Sequence, residues 1–241
     1  PPNLKSSDDS FSPYANVGTN SDNITNVNMP GFIDTSTKPE ANSIVKIYSH
    51  LQGVVGTGSA NGSGDFDFNL STTLSDNTHT LTITATDVAG NESSPSTGLN
   101  VTIDTQPPDI LPGGVQFYDH GDHEHIDVEF DETIDLADDT SLDPGGFSVS
   151  DGFYSNSSSY QTSYTTPASN GSISKTNLAH LRSNGNNKWN AGTTVSYTSP
   201  GKIYDIAGNQ WPNQVNLPST DPTPPTVVSG LIFNPDGPSG K

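Results

Sequence analysis

Polar and apolar positions alternate with a period of two along much of this chain, as in strands with one dry and one wet face. In Thr80-Leu81-Thr82-Ile83-Thr84-Ala85-Thr86 every second residue is threonine, which leaves Leu81, Ile83 and Ala85 for a core. Asp65 to Leu70, Leu99 to Ile103 and His125 to Phe130 alternate in the same way. No stretch sustains apolar spacing at three and four residues, and the Ser, Thr, Asn and Gly content opposes helices. Turn chemistry punctuates the strands at Asn61-Gly62, Ser75-Asp76-Asn77, Ala89-Gly90-Asn91, Pro144-Gly145-Gly146 and Ala207-Gly208-Asn209. The pattern predicts an all-β fold of antiparallel sheets packed face to face.

An internal period divides the chain. Asp87-Val88-Ala89-Gly90-Asn91 returns as Asp205-Ile206-Ala207-Gly208-Asn209. Each copy is followed, 17 and 16 residues after its first Asp, by Asp-x-x-Pro-Pro: Asp104 to Pro108, then Asp221 to Pro225. Pro1-Pro2 reads as the tail of an earlier copy of that linker. Successive Pro-Pro pairs lie 106 and 117 residues apart, each about one immunoglobulin-sized sandwich. Beyond the last pair, Val227 to Phe233 echoes Leu111 to Phe117. The expected organisation is a domain over 1–106, a second of different type with a long polar insert over 107–223, and the start of a further repeat over 224–241.

Charge sharpens the picture. Acidic residues outnumber basic ones 27 to 8, for a net charge of −19. That argues against nucleic acid and anionic lipid as partners and favours a cation, most simply a divalent metal among crowded carboxylates. Apolar residues make up 29% of the chain, so any core is thin. The absence of cysteine excludes disulfides, thiolate metal sites and a cysteine nucleophile. No run has the length of a membrane helix, and direct membrane insertion is not expected.

Residues 6–106 resemble the immunoglobulin-like repeats of giant bacterial surface adhesins, of biofilm-associated and RTX type. The matching segments are Ser21 to Thr25, Val54 to Thr57, Thr73 to Leu81, Ala85 to Asn91 and Val101 to Asp104. Residues 110–223 are more loosely similar to a second bacterial immunoglobulin-like type through Ile126 to Glu132, Ala191 to Tyr197 and Tyr204 to Asn209. They depart from it between Phe153 and Lys188, a longer and more polar stretch. The resemblance implies two tandem immunoglobulin-like antiparallel β-sandwiches in a secreted, multi-repeat adhesin whose repeats bind Ca²⁺ at their junctions.

The residues themselves lead to the same junction. In such a sandwich the last hairpin sits at the proximal pole, where the chain enters, and the final strand runs to the distal pole, where it leaves. Leu81–Thr86 and Leu99–Ile103 are then the last two strands. Asp104 leaves at the distal pole and meets the next domain's loop, with Asp205 and Asn209, while Asp109 follows the prolines. With no arginine and few lysines nearby, these oxygens suit Ca²⁺ better than Mg²⁺, which demands a tight octahedron. The same logic places Asp87 and Asn91 beside Asp8 or Asp9 at the first domain's proximal pole. Asp221 would pair with a following repeat, and Asp22 completes the candidate ligands. The competing reading is that Asp-x-Ala-Gly-Asn is only a turn, since all three residue types favour turns. The two prolines stiffen each linker whether or not a metal binds.

Two further segments carry chemistry. His123 and His125 share a strand face, a half-site for a transition metal, or else the polar end of a hairpin. Phe153 to Gln161, with Tyr164 and Trp189, mixes Tyr, Ser and Asn as sugar- or protein-binding loops do, and equally suits a long solvated loop. Trp211 is expected to pack at the domain boundary. No nucleophile elbow, Ser-His-Asp order or phosphate loop is present, so no enzyme activity is expected. The function expected is a non-catalytic, monomeric segment of an exported adhesin, an extender that projects a binding module from the bacterial surface. Its partners would be the neighbouring repeats and, beyond them, a host, surface or glycan ligand. The alternatives are a ligand-binding module using 153–190, or accessory domains of a secreted polysaccharide-degrading enzyme.

Overall fold

The computed structural model describes residues 1–13, 18–34, 38–119, 124–136, 147–150, 177–182, 189–190, 192–198 and 203–221. No helix occurs among them, and sixteen strands do. His120 to His123, nearly all of the 153–190 stretch and the stub over 224–241 lie outside the described residues.

The first unit contains β1 (Asn3–Leu4), β2 (Ile24–Thr25), β3 (Gly31–Ile33), β4 (Ile44–Ser49), β5 (Gly53–Ser59), β6 (Asp67–Asn69), β7 (Asn77–Thr86) and β8 (Leu99–Ile103). One sheet runs β1-β3-β6 and the facing sheet β2-β8-β7-β4-β5. All pairs are antiparallel except the short β2–β8 contact, which sets Ile24 against Thr102 and Thr25 against Ile103 in parallel. Between the sheets lies a core of Leu4, Phe32, Val45, Ile47, Val55, Phe66, Leu70, Leu74, Leu81, Val101 and Ile103. The threonine-rich strand obeys its alternation only in part. Leu81 is fully buried, but Ile83 only packs against the core edge, and Ile83 and Ala85 instead line a cavity of about 430 Å³ beside Asp87 and Asn91. His79, two residues before Leu81, takes the inward position that alternation assigns it. Its ring is satisfied there by Ser49 Oγ at 2.7 Å and the Ser75 carbonyl at 2.8 Å.

The second unit contains β9 (Ile110–Asp119), β10 (Glu124–Phe130), β11 (Ile134–Leu136), β12 (Phe147–Val149), β13 (Leu178–Arg182), β14 (Thr194–Tyr197), β15 (Ile203–Asp205) and β16 (Gln214–Pro218). They pair antiparallel as β13-β10-β9, β11-β15 and β12-β14-β16. A separate core gathers Ile126, Val128, Phe130, Ile134, Phe147, Leu181, Trp189, Val195, Tyr197, Ile203 and Trp211. Trp211 is its centre: fully buried, it meets Phe130 edge-on at 4.9 Å and Tyr197 at 4.7 Å. It also borders a cavity lined by Pro107 and Pro108, so it serves both the core and the boundary. Strand β10 departs from the expected wet and dry faces. Flanked by β9 and β13 in its sheet, it holds His125 and Asp127 nearly as buried as Ile126 and Val128. His125 there stacks on Tyr118 at 4.7 Å.

Candidate metal centre at the domain junction

Strand register decides which loops meet. Asn77 pairs with Ile103 and Leu81 with Leu99, so the β7–β8 hairpin points one way while Asp104 leaves at the other end. Asp104 there meets the loop that follows β15. Asn209 Nδ2 donates to the Asp104 carbonyl at 2.8 Å and to Asp205 Oδ2 at 2.7 Å, which fixes this loop against the linker.

Three carboxylates converge at the contact. Asp104, Glu132 and Asp205 each bring an oxygen within 4.8 Å of the others, and Asp205 is fully buried. Burial pushes the Glu132 carboxyl up to about 8, and the charges of Asp205, Asp104 and Asp131 add to the rise. Burial likewise pushes Asp205 up to about 6, against the pull of its hydrogen bonds from Asn209. Asp104 is raised by burial too, with Asp76 and Asp131 contributing. Such a cluster strains toward neutrality, by taking protons or by taking a cation. Its donors are hard oxygens only, which fits Ca²⁺.

Glu132 escaped the sequence reading because it sits outside both repeated motifs. Strand pairing brings it in: it lies two residues before Ile134, and Ile134 pairs directly with Asp205 across β11–β15. The expected Asp104 and Asp205 do meet. Asn209 joins them through its amide nitrogen, as a brace rather than an oxygen ligand. Asp109 is adjacent but differently employed: its Oδ1 accepts from the Ile110 N–H, and its own N–H donates to Asp131 Oδ1 at 2.9 Å. Asp221 is exposed at the last described position.

At the first unit's proximal pole the loop is a turn locked on itself. Asp87 accepts from the Ala89 and Asn91 N–H groups and from Asn91 Nδ2, all within 2.9 Å, and these bonds hold its carboxyl below the usual range. The second copy has the corresponding Asp205–Asn209 bonds, so the turn is common to both and the carboxylate cluster is added only at the junction. Pro1 lies by Asp87, whereas Asp8 does not. The chain follows the first unit's edge down to the distal end by residue 8, where Thr25 Oγ1 donates to the Asp8 carbonyl and Asp8 Oδ2 accepts from the Gly31 N–H. Asp8 and Asp9 thus belong to the distal pole, not to the Asp87 loop.

Asp9 and Asp22 sit together there, on the flank facing the second unit. Burial and then the Asp22 charge push Asp9 up to about 6, against the pull of the Asn23 N–H bond, and its Oδ1 has no hydrogen-bond partner. Asp22 instead caps its own turn, accepting from the Thr19 and Ile24 N–H groups. The facing loop touches this flank directly. Ser10 Oγ donates to the Ala207 carbonyl at 2.6 Å, and a Cβ on Gly208 (φ +88°) would lie 2.9 Å from the Phe11 carbonyl oxygen.

Two β-sandwich units, each with its own core, joined through an acidic contact, define a tandem-sandwich protein. Residues 4–105 match the family profile described as a bacterial Ig-like domain. Among solved structures the chain is similar to "Biofilm associated protein - BSP domain", at 16% identity over 84% of this chain, with a TM-score of 0.26. It spans 29% of that structure's length. The comparison with curated proteins gave no match.

Proposed function

We propose that this chain is a non-catalytic segment of an exported bacterial surface adhesin, which projects a binding module and is stiffened by Ca²⁺ between its two sandwiches. The observation that carries the calcium reading is the meeting of Asp104, from the first unit's exit, with Glu132 and Asp205 of the second, their oxygens within 4.8 Å. Asp104, Glu132 and Asp205 would hold the ion. The ion would cancel the repulsion now expressed in three raised carboxyls and tie the end of β8 to the loop after β15. The match of residues 4–105 to a bacterial Ig-like profile and the acidic, cysteine-free composition support the adhesin setting.

Calorimetric titration of the EDTA-treated chain with CaCl₂ tests the site. A single Glu132→Gln change should weaken binding at least about tenfold, a loss of about 1.4 kcal/mol. Asp87→Asn, in the self-locked loop at the other pole, should leave that affinity unchanged. Equal effects of the two substitutions, or no calcium heat at all, would overturn the assignment.

A further inference from the structure

We infer that the linker is clamped at both ends by carboxylates that are not metal ligands, so that the junction is ordered before any cation arrives. On the first unit the clamp is Asp76. Its Oδ1 accepts from the Thr105 N–H at 3.2 Å and from Thr105 Oγ1 at 2.9 Å, and its Oδ2 accepts from Gln106 Nε2 at 3.2 Å. On the second unit the clamp is Asp131. Its Oδ1 accepts from the Asp109 N–H at 2.9 Å, while its own N–H donates to the Asp109 carbonyl at 2.9 Å. Between the two gripped ends lie only Pro107 and Pro108, whose φ angles are fixed by their rings. Rotation about ψ remains in the connection, restricted at Gln106 and Pro107 by the proline that follows each and open at Pro108.

The Asp76 jaw is itself held. Gln52 spans the preceding loop, accepting from the Ser75 N–H at 3.1 Å and donating to the Thr73 carbonyl at 2.9 Å. The buried His79 grips the Ser75 carbonyl from below and is backed by Ser49. The core side of β7 is thus connected to the linker by hydrogen bonds on Ser75 and on Asp76, joined by the peptide bond between those two residues. Asp76 is a positioning residue: it aims Asp104, two residues before the gripped Gln106, at the second unit. The clamp goes beyond the calcium reading and stands without it.

The test is the distance distribution between spin labels on Val88→Cys and Ser148→Cys, one exposed site in each unit of a cysteine-free chain. It is measured by pulsed electron paramagnetic resonance in EDTA. The otherwise unaltered chain should give a narrow distribution. Asp76→Ala should broaden it about twofold, because the linker regains coil freedom. Thr105→Val with Gln106→Ala alters only the linker side and leaves every charge in place, so it should broaden the distribution alike while each unit's melting stays unchanged. A distribution as broad in the unaltered chain as in the variants, or variants as narrow as the unaltered chain, would overturn the clamp. If calcium then fails to narrow any of them, the calcium site falls and the clamp survives.

Discussion

At the scale of single residues, the acidic contact predicts an unusual pH dependence. Glu132 and Asp205, at about 8 and about 6, hold protons in the folded chain that their unfolded counterparts release near pH 4. The folded state therefore binds more protons than the unfolded one between about pH 4 and 8, and stability falls as pH rises through that window. Asp9, at about 6, adds in the same direction. In EDTA the melting temperature should drop steadily from pH 5 to pH 8, and calcium should remove most of the drop. A flat or rising profile would contradict the placement of these groups. Calcium binding at pH 7 should also release about one proton, because Glu132 must ionise to serve as a ligand, and titrations in buffers of different ionisation heat read this directly.

At the scale of elements, the loop after β15 makes the contact, and Gly208 is its most sensitive position. Its φ of +88° favours glycine, and a side chain there would press on the Phe11 backbone. Gly208→Ala should cost about 1–2 kcal/mol in strain alone and loosen the contact with the first unit. Chemical denaturation reads the first effect and calcium affinity the second. Val88 and Ile206 occupy the same position in the two copies. Val88 is 87% exposed, so Val88→Ala should be nearly silent.

Much of this was legible in the chain. The alternation of Leu99 to Ile103, the turns around Gly90 and Gly208, and the pairing of Asp104 with Asp205 follow from period and repetition. Glu132 was not legible, because its place depends on which strand pairs beside β15, a non-local choice that spacing does not encode. Asp8 was misplaced for a related reason. The length of the edge path from Pro2 to the distal pole depends on where β1 stops, and β1 has only two residues. The burial of His125 likewise depended on a non-local pairing, which sets Tyr118 of β9 against it.

At the scale of the whole molecule, two thin cores are joined by a short, doubly gripped linker and a cluster of three carboxylates. Neither core includes a residue of the other unit, so mechanical continuity runs through the junction. Prolines and carboxylate clamps set the direction of the connection, and a cation at Asp104, Glu132 and Asp205 would lock it. Small-angle scattering should show this as an unchanged fold with a slightly longer, stiffer particle once calcium is added.

The most direct test of the central claim is a thermal melt after EDTA treatment, with and without millimolar Ca²⁺ and with Mg²⁺ as control. A cation that binds only the folded junction stabilises it by mass action, by roughly 4 kcal/mol when its concentration is 1,000 times the dissociation constant, and so raises the midpoint. The account predicts a large shift with Ca²⁺, a small one with Mg²⁺, and loss of the shift in Glu132→Gln. Identical melts under all three conditions would contradict it.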